Sequence, residues 1–125
     1  MKGDDISERL IDFAVRVLRL VDSLLKTVVG KHIGSQLARA ATAAGANYEE
    51  GRGAESRADF IHKLGIASKE ARESRYWLKV IHRSAMIPPK RLESLMVECD
   101  ELCAILAASI STARRKAASE NRVTE

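Results

Sequence analysis

The sequence is short of what builds sheets and turns, with 2 prolines, 7 glycines and 4% aromatic residues in 125 positions. Strands draw on β-branched and aromatic side chains and are separated by Gly- and Pro-rich turns, so this composition argues against an all-β domain. Only two cysteines occur, Cys99 and Cys103. Four apart on a helix they would stack on one face, which suits packed thiols in a reducing compartment better than a disulfide. No run of about 18 uncharged apolar residues is present, and Met1-Lys2-Gly3-Asp4-Asp5 lacks the basic-then-apolar layout of an export signal. These absences lead to the expectation of a cytoplasmic protein without a membrane partner.

Motifs for catalysis and metal binding are also wanting. Gly51-Arg52-Gly53 follows no strand and is read as helix punctuation rather than a phosphate loop. No Glu-x-x-His pair of a di-iron bundle occurs. His32, His62 and His82 lie in different sequence environments, and Cys99 with Cys103 would lack a third and fourth metal ligand. The expectation is no catalytic residue, no metal and no cofactor.

What is abundant is Ala, Leu, Ile and Val at helical spacing. Leu10, Phe13, Val17, Leu20 and Leu24 alternate by three and four, with Ala14, Leu18, Val21 and Leu25 widening the stripe. Asp12 with Arg16 and Asp22 with Lys26 would support the outer face of this first helix. Ile33, Leu37, Ala40, Ala44 and Tyr48 mark a second helix, whose Ala-rich middle allows close approach by a neighbour. Phe60, Leu64, Ala67, Ala71, Ser74, Leu78, Ile81 and Ala85 form a heptad seam opened by a Ser56 cap. Pro88-Pro89 then starts a fourth helix carrying Leu92, Leu95, Cys99, Leu102, Leu106, Ile110 and Ala113. The pattern predicts an all-α, up-down-up-down, left-handed four-helix bundle over residues 1–116, with helices at about 6–27, 33–50, 57–85 and 89–115 and a frayed polar tail at 117–125.

The formal charge of +4 is unevenly spread. Residues 1–30 are neutral, residues 31–92 carry 12 basic against 6 acidic groups, and residues 93–125 carry 4 against 6. On the third helix His62, Lys69, Arg72, Tyr76, Lys79 and Arg83 fall on one stripe, roughly 160° from the apolar seam at about 100° per residue. Cations with an aromatic ring among them suit a phosphate backbone and an unpaired base. They equally suit a solvated outer face. Beside the seam, Ile66, Trp77 and Val80 either complete the core or form a subunit contact.

The stretch from Gln36 to Gly51 resembles the signature of the 23S rRNA intervening-sequence proteins, roughly Q-L-x-R-A-A-x-S-I-P-x-N-I-x-E-G followed by a Phe-x-x-x-Leu-x-x-Ala helix. Gln36, Leu37, Arg39, Ala40, Ala41, Asn47, Glu50 and Gly51 match it, then Phe60, Leu64 and Ala67, with Glu70 or Glu73 and Leu78 resembling later positions. Ala43 stands where the family usually has Ser, and Gly45 replaces a helix-bending Pro with another weak helix former. The resemblance implies a non-catalytic four-helix bundle assembled as a ring-like homopentamer. It further implies RNA or DNA binding by a basic surface, to which Arg39 and Arg52 would contribute, or a scaffold for a protein partner, as in the related accessory proteins of retroelement reverse transcriptases. Arg39, Asn47 and Glu50 would either bind or fix the turn into the third helix.

Overall fold

The computed structural model describes residues 2–124. Four α-helices follow one another, α1 (Lys2–Asp22), α2 (Val28–Arg52), α3 (Arg57–Arg83) and α4 (Glu93–Thr124), with a 3-10 turn at Pro89–Arg91. No strand occurs among the described residues. α2 packs most extensively on α3, α1 lies on α2, α3 lies on α4, and a sparser α1–α4 contact closes the four-helix bundle. Arg9 reaches Glu98 and Glu101 while Arg16 reaches Ser94, so α1 and α4 are antiparallel. Glu50 meets Lys63 while Arg39 meets Glu70, so α2 and α3 are antiparallel as well.

The periodic seams supply the core. Leu10, Phe13 and Val17 of α1, Leu37, Ala41 and Ala44 of α2, Leu64, Leu78 and Ile81 of α3, Leu92 just before α4, and the whole row from Leu95 to Ala113 of α4 are buried. Ser74 is tolerated in this seam because its hydroxyl donates to the Glu70 carbonyl at 2.9 Å. Cys99 and Cys103 are buried free thiols. Pairing with Cys103, together with burial, pushes the Cys99 thiol up.

The helix ends depart from the expected ones for local reasons. α1 stops at Asp22 and α2 starts at Val28. Thr27 is extended (φ −125°, ψ 159°), and its Oγ1 accepts the Gly30 N–H at 2.9 Å, making it the N-cap. Val28-Val29-Gly30, which looks like a stop, is therefore the first turn of α2. Lys26 consequently falls outside α1 and cannot pair with Asp22 along a helix. α3 ends at Arg83 in a Schellman closure, with the Met86 N–H donating to the Ile81 carbonyl and the Ala85 N–H to that of His82, each at 3.3 Å. Ala85 thus leaves the seam, becomes exposed and takes a φ of 55°. That left-handed conformation costs a non-glycine residue about 1 kcal/mol.

Pro88 and Pro89 lead into the 3-10 turn, and α4 begins at Glu93. α4 then continues through residues 117–124, where the sequence predicts a tail. Arg57 of α3 donates to Glu120 at 2.7 Å and ties this extension to the bundle.

Candidate nucleic-acid interface

Helical repeat places the polar stripe of α3 on the side opposite its seam, and His62, Lys69, Arg72, Tyr76, Lys79 and Arg83 are arranged along it, with Tyr76 58% exposed, an unusual setting for an aromatic ring. The ring stands edge-on to Trp77, with centroids 5.1 Å apart and an interplanar angle of 74°. None of Lys69, Arg72, Lys79 and Arg83 makes a hydrogen bond or ion pair with another described residue. Their donors face water along one side of one helix.

Arg39 and Arg52, the other two cations expected at this surface, are engaged within the fold. Arg39 Nη1 donates to Glu70 Oε2 at 3.0 Å and its Nη2 bonds to Glu73, clamping α2 to α3. Glu73 also accepts the Trp77 indole N–H at 3.2 Å. Burial pushes the Glu73 carboxyl up, but hydrogen bonds from Trp77 and Arg39 outweigh it and hold the group below its ordinary value. Arg52 bonds to Asp4 and donates to the Ser7 hydroxyl at 2.7 Å, while Ser7 bonds to Glu49, so the start of α1 is held against the end of α2.

Ile66, Trp77 and Val80 lie beside the seam, and Trp77 packs against the core cluster. Of the other signature residues, Asn47 donates to the Ala43 carbonyl of its own helix at 2.9 Å. Glu50 accepts from Lys63 at 3.2 Å and so links α2 to α3. Among the described residues, no group of three or more His, Cys, Asp or Glu that could hold a metal ion occurs, and no helix is long and apolar enough to cross a membrane.

Two surface features lie outside the predicted seams. The first is a second apolar row on α1, where Ile11, Val15 and Leu18 are between 38% and 49% exposed, continued by Leu25 in the turn that follows. Leu18 and Leu25 therefore do not widen the core stripe; they lie beyond its edge because Leu10, Phe13, Val17 and Val21 already fill the buried side. The heptad spacing from 11 to 25 is visible in the sequence, but it runs one residue behind the stronger buried row. The second is a recess of about 240 Å³ between α1 and α4, lined by Arg16, Arg19, Leu20, Arg91 and Leu95. Arg16 donates to Ser94 at 3.0 Å in place of the expected Asp12 pairing, and the 3-10 turn brings Arg91 to it. Arg91 is separated by more than 70 positions from Arg19, so only the fold joins them.

A family model described as 23S rRNA-intervening sequence protein matches residues 4–108. A crystal structure from Bacteroides thetaiotaomicron, described as a protein with unknown function from the S23 ribosomal protein family, is 36% identical. The match covers 89% of this chain and 99% of that one, with a TM-score of 0.80. None of the curated proteins matches the chain.

Proposed function

Because the chain belongs to the 23S rRNA-intervening sequence protein family, we propose that it is a non-catalytic, self-assembling helical bundle that binds nucleic acid through the basic outer face of α3. The observation that carries this reading is the contrast among cations. Arg39 and Arg52 are bonded to carboxylates, whereas Lys69, Arg72, Lys79 and Arg83 have no hydrogen-bond or ion-pair partner among the described residues and flank the exposed Tyr76. Unpaired cations in a row attract phosphates irrespective of base sequence, and an exposed ring between them can stack on an unpaired base.

Anisotropy titrations of single-stranded RNA over a salt series test it. Binding is expected to weaken linearly in log salt. Changing Lys69, Arg72, Lys79 and Arg83 together to Glu should abolish it, and changing them to Gln, which leaves about four phosphates without a cation, should flatten the slope by about three. Unchanged affinity in these variants overturns the reading and leaves a scaffold for a protein partner in its place.

The assembly belongs to the same proposal: a homopentamer whose copies meet on the second apolar row of α1. Ile11, Val15, Leu18 and Leu25 fit a helix–helix seam better than Ile66, Trp77 and Val80, of which Trp77 already packs on the core. The surface supports this, since 7516 Å² is exposed against roughly 6,600 Å² for a compact monomer of this mass. Multi-angle light scattering should give a multiple of the 13.8 kDa chain mass, and Leu18→Glu should reduce it to a single chain. A wild-type mass of one chain across a tenfold concentration range removes the assembly from the proposal.

A further inference from the structure

Where the start of α1, the end of α2, the start of α3 and the stretch 105–116 of α4 meet, the bundle end holds a cavity of about 480 Å³. Its walls include Ile6, Phe60 and Ile105, and Tyr48, Arg57 and Lys116 border it. Tyr48 is 5% exposed, yet its hydroxyl has no hydrogen-bond partner among the described residues. A buried tyrosine hydroxyl normally finds one. No polar side-chain atom is sealed off without a partner among those residues, so this hydroxyl keeps access to solvent, and Tyr48 is one of the residues that border the cavity.

The charged residues that line it, Arg57 and Lys116, are both basic, while Glu120 sits on Arg57 and Arg52, Glu49 and Asp4 lie near the Tyr48 hydroxyl. Arg57 gives one nitrogen to Glu120, at 2.7 Å, and keeps its other N–H groups free. Lys116 makes no hydrogen bond or ion pair with a described residue, and none of the lining residues is acidic. Apolar walls, a hydroxyl donor without a partner in the fold and two cations among the lining residues, in a volume usual for small-molecule sites, suit a ligand with an apolar body, an anionic end and one further acceptor.

We propose that this cavity binds a medium-chain carboxylate carrying a hydroxyl or carbonyl group, with the carboxylate at Arg57 and Lys116, the chain against Ile6, Phe60 and Ile105, and the Tyr48 hydroxyl donating to the second oxygen. The site lies apart from the α3 stripe and stands or falls independently of nucleic acid binding.

Calorimetric titration of the full chain with 10-hydroxydecanoate, decanoate and 1,10-decanediol tests it, with amide chemical shifts locating the site. Saturable binding of one 10-hydroxydecanoate per chain is expected, with shifts around Tyr48 and Ile105. Decanoate should bind about tenfold more weakly and the diol more weakly still, because each lacks one charge or hydrogen-bond interaction. Tyr48→Phe removes a hydroxyl that bonds nothing in the fold, so the protein should stay folded while the preference for the hydroxy acid disappears. Lys116→Gln should weaken both carboxylates and leave the diol unchanged. Ala108→Trp, at an exposed lining position, should block all three. Absence of saturable binding at millimolar concentration overturns the proposal, as does binding that survives Ala108→Trp or a preference that survives Tyr48→Phe.

Discussion

Gly30→Ala should destabilise the bundle by about 3 kcal/mol, near the upper end for a single substitution, and lower the melting temperature by roughly 10 °C. A Cβ built on Gly30 would lie 2.0 Å from the Leu24 carbonyl oxygen and 2.8 Å from Thr27 Oγ1. The first atom belongs to the backbone of the α1–α2 turn, and the second is the acceptor that caps α2. Relief of the clash therefore requires either opening the turn or breaking the cap. Gly45→Ala is the matched control. Its Cβ would meet the Leu10 Cβ at 3.5 Å, an ordinary contact, so the better helix propensity of alanine should raise stability by about 0.5–1 kcal/mol. Urea denaturation followed by circular dichroism measures both as midpoint shifts at constant slope. A Gly30→Ala protein within about 1 kcal/mol of wild type would show that the turn relaxes freely.

Arg39→Ala is expected to cost about 2 kcal/mol. Glu70 is 9% exposed and its carboxylate is met by Arg39 at 3.0 Å, so truncation leaves a buried charge without compensation. Fully buried pairs lose about 3–5 kcal/mol in that situation; the half-exposed guanidinium sets the expectation lower. Arg39→Ala combined with Glu70→Leu should recover most of the loss, because the unpaired charge goes with its partner. The effect also depends on pH. The Glu73 carboxyl is held below its ordinary value by Trp77 and Arg39 against the opposing effect of burial. Its contribution is complete above the unfolded value near about 4.3 and is lost as pH falls through the lower folded value, so the gap between wild type and Arg39→Ala should narrow below about pH 4. If Arg39 contacted nucleic acid instead, the substitution would lower affinity for RNA and leave the urea midpoint unchanged.

The helices of this fold are legible in the sequence because each carries a long apolar row at three-four spacing, and in α4 every residue of that row is buried. The ends are harder to place. Periodicity says nothing about whether Thr27 will cap the following helix, nor that Ala85 will take a conformation usual for glycine. The α3 stripe is legible because a single helix determines which of its residues share a side. Arg39, Glu70 and Glu73 are visible only as matches to a family signature. Their meeting depends on how α2 and α3 are aligned, which no local pattern specifies. The Tyr48 cavity and the Arg16, Arg19 and Arg91 recess arise where helices from distant parts of the chain converge, and neither leaves a trace in spacing.

The two apolar rows of α1 also pose a problem of choice for the folding chain. Ile11, Val15 and Leu18 follow buried residues by one or two positions, so turning α1 by about 100° about its axis would offer the core a second, shorter hydrophobic side, bounded by Glu8 and Asp22 at the same spacing. Hydrophobicity favours the native orientation, which buries the longer row from Ile6 to Leu24. The polar bonds add to that preference. Arg9 forks onto Glu98 and Glu101, at 2.7 Å each, while Ser7 and Asp4 reach Arg52, and the turned helix would carry these groups away from their partners. Ion pairs of modest strength at the rim thereby work as a locking key, widening the gap between the native arrangement and a turned one. Disruption of Arg9 accordingly narrows that gap as well as lowering stability.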